Sequence, residues 1–155
     1  YVAKEVYLIG EIGLGHMVAI FSTGALIGAL IIAVAGARTH STKFMLTNII
    51  LWYIMLAVFA AMGTEINGLI ALFFMGIVHA LGMVSMSVIL ISQLEKHMRG
   101  RVIGIRILAI YGVPIGLMGT SYFIHMIGFQ GTVNMYVVIG ITLTAIIWFK
   151  WRKAL

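Results

Sequence analysis

Long apolar stretches follow one another along the whole chain and constrain its fold more than any other feature of the sequence. Five stretches are mainly apolar and carry almost no charge, at residues 13–36, 44–62, 68–92, 102–127 and 133–149. A helix of about 20 such residues crosses the roughly 30 Å of hydrocarbon in a bilayer. Because lipid offers no partner to an unpaired backbone group, each stretch is expected to be an α-helix. The sequence therefore predicts an all-α membrane protein with five transmembrane helices in a single domain over residues 1–155.

The composition of the chain excludes a water-soluble fold. Its residues are 63% hydrophobic and only 9% charged, with a mean hydropathy of +1.15, whereas about a quarter of the residues in a soluble domain are charged. Lipid is therefore the expected solvent, and membrane lipid is an expected partner. The net charge of +6 does not indicate a nucleic-acid partner, because the basic residues lie between the apolar stretches, as topology signals do. Cysteine is absent, so the sequence offers no disulfide and no thiolate metal ligand.

Basic residues are divided unequally between the two sides of the predicted helix bundle. Nine of the ten Lys and Arg residues fall in alternate connections and in the C-terminal tail, which leaves Lys4 alone on the other side. Cytoplasmic connections carry the excess of Lys and Arg in membrane proteins. The sequence therefore predicts an N-terminus outside and a C-terminus in the cytoplasm. Arg99 and Arg101 are expected to lie in a cytoplasmic loop, where they set topology and cap helix ends.

Acidic residues are absent from the middle of the predicted helices. All four lie in connections or at helix ends, at Glu5, Glu11, Glu65 and Glu95. An intramembrane protease needs paired acids, a Ser–His pair or a metal site, and none is evident in the sequence. We therefore expect no enzyme activity, no cofactor and no metal site.

His79 is the one ionisable residue near the middle of a predicted helix. On a helix, Gly76, Met83 and Met86 share its face by three- and four-residue spacing. Two interpretations remain open. His79 either faces a substrate path, where it binds substrate or carries a proton, or it is a neutral structural histidine that hydrogen-bonds a neighbouring helix.

Glycine pairs mark two of the predicted helices. Gly24 and Gly28 form one GxxxG pair, and Gly112 and Gly116 form another around Pro114, the only proline. Small residues at this spacing let helices approach closely in a membrane. Pro114 removes a backbone donor and clashes one turn back, so a kink is expected there. Close helix packing and a flexing point are both compatible with this pattern.

Two motifs resemble those of a known family. MRGRVIG at residues 98–104 and YGVPIG at residues 111–116 are similar to the link between the tenth and eleventh helices of major facilitator transporters. FSTGALIGAL at residues 21–30 is similar to the eighth helix of that family, where a FGxGALxGAL-like run is common. Together the motifs resemble the drug and siderophore exporter branch.

The resemblance implies helices eight to twelve of a twelve-helix fold, so the chain is expected to be a C-terminal portion whose partner is the N-terminal half of the same transporter. The whole protein would move a small-molecule substrate outward across the cell membrane by alternating access, coupled to protons. Helices eight, ten and eleven resemble the cavity-lining set. The candidate substrate-path residues are Phe21, Ser22, Phe74, His79, Ser85, Gln93 and Tyr111. The alternative is a five-span assembly or interaction subunit that transports nothing.

Overall fold

A computed structural model describes residues 2–36, 41–93 and 97–151. A short π-helical segment, Val2–Val6, precedes five α-helices: α1 (Gly10–Ala35), α2 (Thr42–Ala61), α3 (Glu65–Gln93), α4 (Arg99–Tyr111) and α5 (Val113–Trp151). Four stretches within the described ranges are long and apolar enough to cross a membrane: Gly10–Ala35, Thr42–Ala61, Glu65–Ser92 and Met118–Lys150. The first three coincide with the predicted spans to within three residues at each end, as expected where lipid demands a closed set of backbone hydrogen bonds.

Helices α1 and α3 pack backbone against backbone. A Cβ atom added at Gly24 would meet the carbonyl oxygen of Phe73, and one added at Gly28 would meet that of Ile77. In the other direction, a Cβ added at Gly76 would meet the carbonyl oxygen of Phe21. Three glycines therefore set the separation of the two helices, because any side chain there would force them apart.

Helix α2 lies between α3 and α5. At the end of the bundle where α2 meets α3, a buried cluster joins α1, α2, α3 and the N-terminal segment through Ala3, Met17, Phe59, Ala71, Leu72 and Met75. The hydroxyl of Tyr7 donates a hydrogen bond to the carbonyl of Met62 over 3.2 Å. The N-terminal segment is therefore attached to the turn between α2 and α3.

Helix α5 folds back on itself at Gly128. This residue has φ 75° and ψ 170°, a conformation open to glycine but not to L side chains. The hydroxyls of Thr120 and Tyr136, sixteen residues apart in sequence, are 3.1 Å apart, whereas a straight helix would separate them by about 24 Å. A single glycine thus replaces the uncharged loop expected at residues 128–132, because helical hydrogen bonding resumes immediately after it.

The fourth predicted helix, at residues 102–127, is divided in two. Helix α4 ends at Tyr111 and α5 begins at Val113, with the break at Gly112. Pro114 occupies the first turn of α5, where its missing N–H has no intrahelical partner to lose. The kink expected at Pro114 is therefore a helix boundary two residues earlier, and the side chain of Pro114 lies outside the described residues.

Arg99 and Arg101 do not lie in a loop, because helix α4 begins at Arg99. The loop prediction was wrong for both residues. A helix forms its own backbone hydrogen bonds in water as well as in lipid, so it can extend beyond the apolar segment. Arginine also favours the helical conformation. Arg106, one turn further along, donates a hydrogen bond from Nη1 to Ser87 Oγ on α3 over 2.9 Å. This hydrogen bond joins the side chains of α3 and α4.

Candidate functional site

His79 lies at the midpoint of α3, where α1, α2 and α3 meet. The centroid of its ring is 5.5 Å from that of Phe21 on α1 and 5.8 Å from that of Trp52 on α2. These separations are typical of favourable aromatic pairs. In the part of the chain that the structure describes, its imidazole contacts rings and forms no hydrogen bond. The described contacts of His79 are therefore aromatic, and both interpretations of its role stay predictions.

A cavity of about 180 Å³ adjoins His79 between α2 and α3. Its walls include aromatic and thioether side chains, and one lining residue, Met83, is 46% exposed. The lining residues are Asn48, Ile49, Trp52, Tyr53, Val78, His79, Gly82, Met83 and Met86. Such walls suit an apolar or aromatic group, since thioethers adapt to irregular shapes and aromatic faces stack.

Two buried polar atoms, one on α2 and one on α3, have no hydrogen-bond partner among the described residues. They are Nε1 of Trp52, in the cavity wall, and Oγ of Ser85, which is 0% exposed. Leaving such a group unpaired costs about 1–3 kcal/mol. Asn48 is also buried, but its amide donates to the carbonyl of Phe44 over 2.8 Å. The indole N–H of Trp52 is thus a buried donor without an acceptor among the described residues, although other atoms of this side chain line the cavity.

The described residues offer binding chemistry and no assembled catalytic group at this site. Among the residues that the structure describes, His79 is the only His, Asp, Glu, Lys or Arg that lines the cavity. Within the described ranges, no three His, Cys, Asp or Glu residues lie close enough together to hold a metal ion.

Comparison with known families decides the class of protein. The sequence model of the Major Facilitator Superfamily matches residues 2–154. The chain belongs to the Major Facilitator Superfamily. Searches of curated proteins and of solved structures returned no match. The chain is therefore a multi-pass membrane protein, and its membership indicates a membrane transporter rather than an enzyme.

In this major facilitator chain, the seven residues predicted for the substrate path do not form one site. Phe21 and His79 contact each other, and Ser85 lies buried farther along α3. Phe74, 52% exposed, lines a separate apolar groove with Met55 and Val58.

Ser22 and Tyr111 lie apart from the cavity, and the position of the Gln93 side chain is not described. Ser22 is exposed on α1, and Tyr111 is 74% exposed at the end of α4. Gln93 ends α3, and its side chain lies outside the described residues.

Helix α2 contributes residues that the sequence reasoning missed. Asn48 and Trp52 lie one turn apart, and Tyr53 follows directly. The family resemblance placed no part of α2 in the cavity-lining set, so the sequence predicted no site residue on this helix. The available signal was an Asn in the interior of an apolar stretch, because a polar group in a membrane helix faces protein rather than lipid.

The second glycine pair is unlike the first. A Cβ atom added at Gly116 would meet nothing within 4 Å, and Gly112 is exposed at the break between α4 and α5. Within the described chain this pair forms no helix interface. Of the packing and flexing interpretations, the geometry here is compatible with flexing.

Proposed function

We propose that the protein exports a small lipophilic molecule by alternating access and that the cavity beside His79 belongs to its substrate path. The observation that carries the proposal is the position of His79, held between Phe21 and Trp52. A polar group in the middle of a membrane helix is costly, and transporters place such groups where substrate or protons pass.

The cavity walls favour a substrate with an apolar body and a hydrogen-bond acceptor. Met83 and Met86 can repack around different shapes, and Trp52 and Tyr53 supply aromatic faces. The imidazole of His79, which lines the cavity, would donate a hydrogen bond to an acceptor on the substrate. Export is supported by the resemblance of the RGRV and YGVPIG motifs to the drug and siderophore exporter branch.

We further propose that the chain functions with an N-terminal helical half in the cell membrane, as five spans of a twelve-helix transporter. The fold-back at Gly128 supports five spans, because it places the two arms of α5 side by side. The unequal distribution of Lys and Arg supports a cytoplasmic C-terminus. The two halves would rock around a site near the membrane midplane, the depth at which His79 lies on α3.

Transport by the complete protein in everted membrane vesicles tests the role of His79. The substrates are a panel of fluorescent lipophilic dyes and a radiolabelled catecholate siderophore. His79→Gln is expected to slow uptake of the transported compound about tenfold, the effect of losing one hydrogen bond worth about 1.4 kcal/mol. The matched control is His16→Gln, at an exposed position on α1, which should transport as the wild type does. Equal rates for His79→Gln and His16→Gln would remove His79 from the substrate path.

The same vesicles test the coupling ion and the transport function itself. Collapse of the proton gradient with an ionophore is expected to stop uptake, whereas a sodium gradient alone should not support it. Uptake that persists without a proton gradient would contradict proton coupling. If the wild-type protein moves no compound of the panel under either gradient, the non-transporting assembly subunit becomes the better proposal.

A further inference from the structure

An apolar groove of about 430 Å³ runs along the outer surface between α2 and α5. Thr47, Leu51 and Ile54 line it on α2, and Ala145, Trp148 and Phe149 line it on α5. It is separate from the cavity beside His79 and shares no lining residue with it. Ile54 is 43% exposed and Phe149 is 69% exposed, so the groove faces the surroundings of the bundle.

The two helices run antiparallel here, and their register places Lys43 at one end of the groove. The ring of Tyr53 covers Gly140, while Thr47, six residues earlier, shares the groove with Ala145 and Trp148. One turn earlier on α2, the same register places Lys43 level with the residues that follow Phe149. Lys43 and Thr47 are four residues apart and therefore lie on the same face of α2.

Away from the Lys43 end, the described lining of the groove has no polar side-chain group available to a ligand. The hydroxyl of Thr47 is already used, since it donates to the carbonyl of Lys43 over 2.9 Å. The remaining lining is aliphatic and aromatic until the indole of Trp148 is reached, which lies at the same end as the exposed Lys43. The groove therefore complements a molecule with a long hydrocarbon part and an anionic polar end.

We propose that this groove binds an anionic phospholipid. One acyl chain lies along Leu51, Ile54 and Ala145, the glycerol esters lie beside the Trp148 indole, and the phosphate pairs with the Lys43 ammonium. Tryptophan at the membrane interface and lysine near an anionic headgroup are the side chains suited to those two positions. The proposal does not depend on which substrate the transporter carries.

A second copy of the chain fits the groove less well than a lipid. Helices that associate in a membrane do so through small residues that allow close approach, and the rim of this groove is formed by Leu51, Ile54 and Phe149. An acyl chain gains little binding free energy by moving from bulk lipid to an apolar groove, because both surroundings are equally apolar. Selectivity must therefore come from the headgroup and from Lys43.

Photocrosslinking in vesicles tests the proposal. The complete protein is reconstituted with phosphatidylglycerol or phosphatidylcholine that carries a diazirine on one acyl chain, irradiated, digested and mapped by mass spectrometry. We expect phosphatidylglycerol adducts on the peptides that contain residues 47–54 and 145–149. Unlabelled phosphatidylglycerol should compete for these adducts and phosphatidylcholine should not.

Substitutions separate a headgroup site from general contact with lipid. Lys43→Gln should lower phosphatidylglycerol labelling of the groove roughly fivefold, the effect of one basic residue near the membrane surface, and should leave phosphatidylcholine labelling unchanged. Lys4→Gln, at an exposed lysine on the opposite side, is the matched control and should change neither. Ala145→Phe should block labelling by filling the groove, whereas Ala33→Phe, at an exposed position on α1, should not.

Two results would overturn the proposal. One is labelling that is equal for both lipids and insensitive to Lys43→Gln. The other is an intermolecular disulfide formed by Leu51→Cys in a cysteine-free background, which would assign the groove to a second copy.

Discussion

At the scale of single residues, His79 is packed between aromatic rings, and this packing underlies the role proposed for it. Aromatic rings on two neighbouring helices hold the imidazole, and the described side chains leave its nitrogens without a hydrogen bond. A ring held by packing keeps both nitrogens available to a substrate or a proton. His79 can therefore contribute to stability through the shape of its ring and to transport through its nitrogens, and substitutions can test each contribution.

We expect His79→Phe to keep the stability of the protein and to lose transport. Phe preserves a planar ring between Phe21 and Trp52 but has no nitrogen. His79→Ala removes both ring contacts and should lower the unfolding free energy by about 1–3 kcal/mol, since each aromatic pair contributes about 0.5–1.5 kcal/mol. Thermal unfolding in detergent, measured beside vesicle transport, checks both. A His79→Phe protein that transports normally would contradict the role of the nitrogens.

Tyr7 should make stability depend on alkaline pH. Burial raises the pKa of its phenol above the usual value of 10.0, and the neutral hydroxyl donates to the Met62 carbonyl. The folded state therefore favours the protonated form, so this contribution is complete below pH 10 and is lost as pH rises beyond it. Melting temperatures of wild type and Tyr7→Phe between pH 8 and 11 check this. Wild type should lose stability more steeply above pH 10, and parallel curves would contradict the assignment.

At the scale of helices, glycine has two different structural uses in this chain. Gly24, Gly28 and Gly76 remove side chains where α1 and α3 touch. Gly128 instead supplies a backbone conformation, φ 75° and ψ 170°, that allows α5 to fold back. Alanine at Gly24, Gly28 or Gly76 would clash with the neighbouring helix, whereas alanine at Gly128 would strain the backbone dihedral angles.

Gly24→Ala is expected to destabilise the protein by about 1–3 kcal/mol. The added methyl group meets the Phe73 carbonyl, and backbone on a packed helix cannot move aside as a flexible side chain can. Gly15→Ala, on the same helix with nothing within 4 Å of an added Cβ, is the control and should be neutral or slightly stabilising. Equilibrium unfolding in mixed micelles measures both. Equal stability of the two variants would show that the α1–α3 contact is not tight.

Gly128→Ala should open or strain the fold-back of α5. A left-handed, extended conformation costs a non-glycine residue on the order of 1–3 kcal/mol, even though an added Cβ would meet nothing within 4 Å. Gly131→Ala, three residues later with a helical backbone, is the control. The distance between spin labels at Ser121 and Asn134 reports the fold-back directly. An unchanged distance and an unchanged stability in Gly128→Ala would contradict the strain.

At the scale of the whole molecule, family membership indicates a membrane transporter, and the charge distribution predicts its orientation. The superfamily match spans residues 2–154, and nine of the ten basic residues lie on one side of the predicted bundle. Because cytoplasmic connections carry the excess of Lys and Arg, this distribution predicts the direction in which each helix crosses the membrane.

Single cysteines in a cysteine-free background test the orientation in intact cells. Thr64→Cys, exposed between α2 and α3, should react with a membrane-impermeant maleimide from outside. Met98→Cys, 41% exposed beside the start of α4, should react only after the cells are opened. The reverse pattern would invert the proposed topology.

The sequence alone determined the class of the protein, the first three helices and the distribution of charge. These properties follow from local requirements, because a chain in lipid must close its own backbone hydrogen bonds over about 20 residues. The motifs at residues 21–30 and 98–116 led to the superfamily that the comparison then showed. The proposed role of His79 was likewise inferred from its isolation in an apolar stretch.

Only the tertiary structure decided what surrounds His79, where α5 folds back and which glycine pair is packed. Helices in lipid gain no hydrophobic energy from one apolar face over another, so their pairing depends on close fit between particular side chains. Periodicity along one helix cannot report that fit. Trp52 became part of the site because the glycines of α1 and α3 bring Phe21 and His79 together, and α2 covers the remaining side.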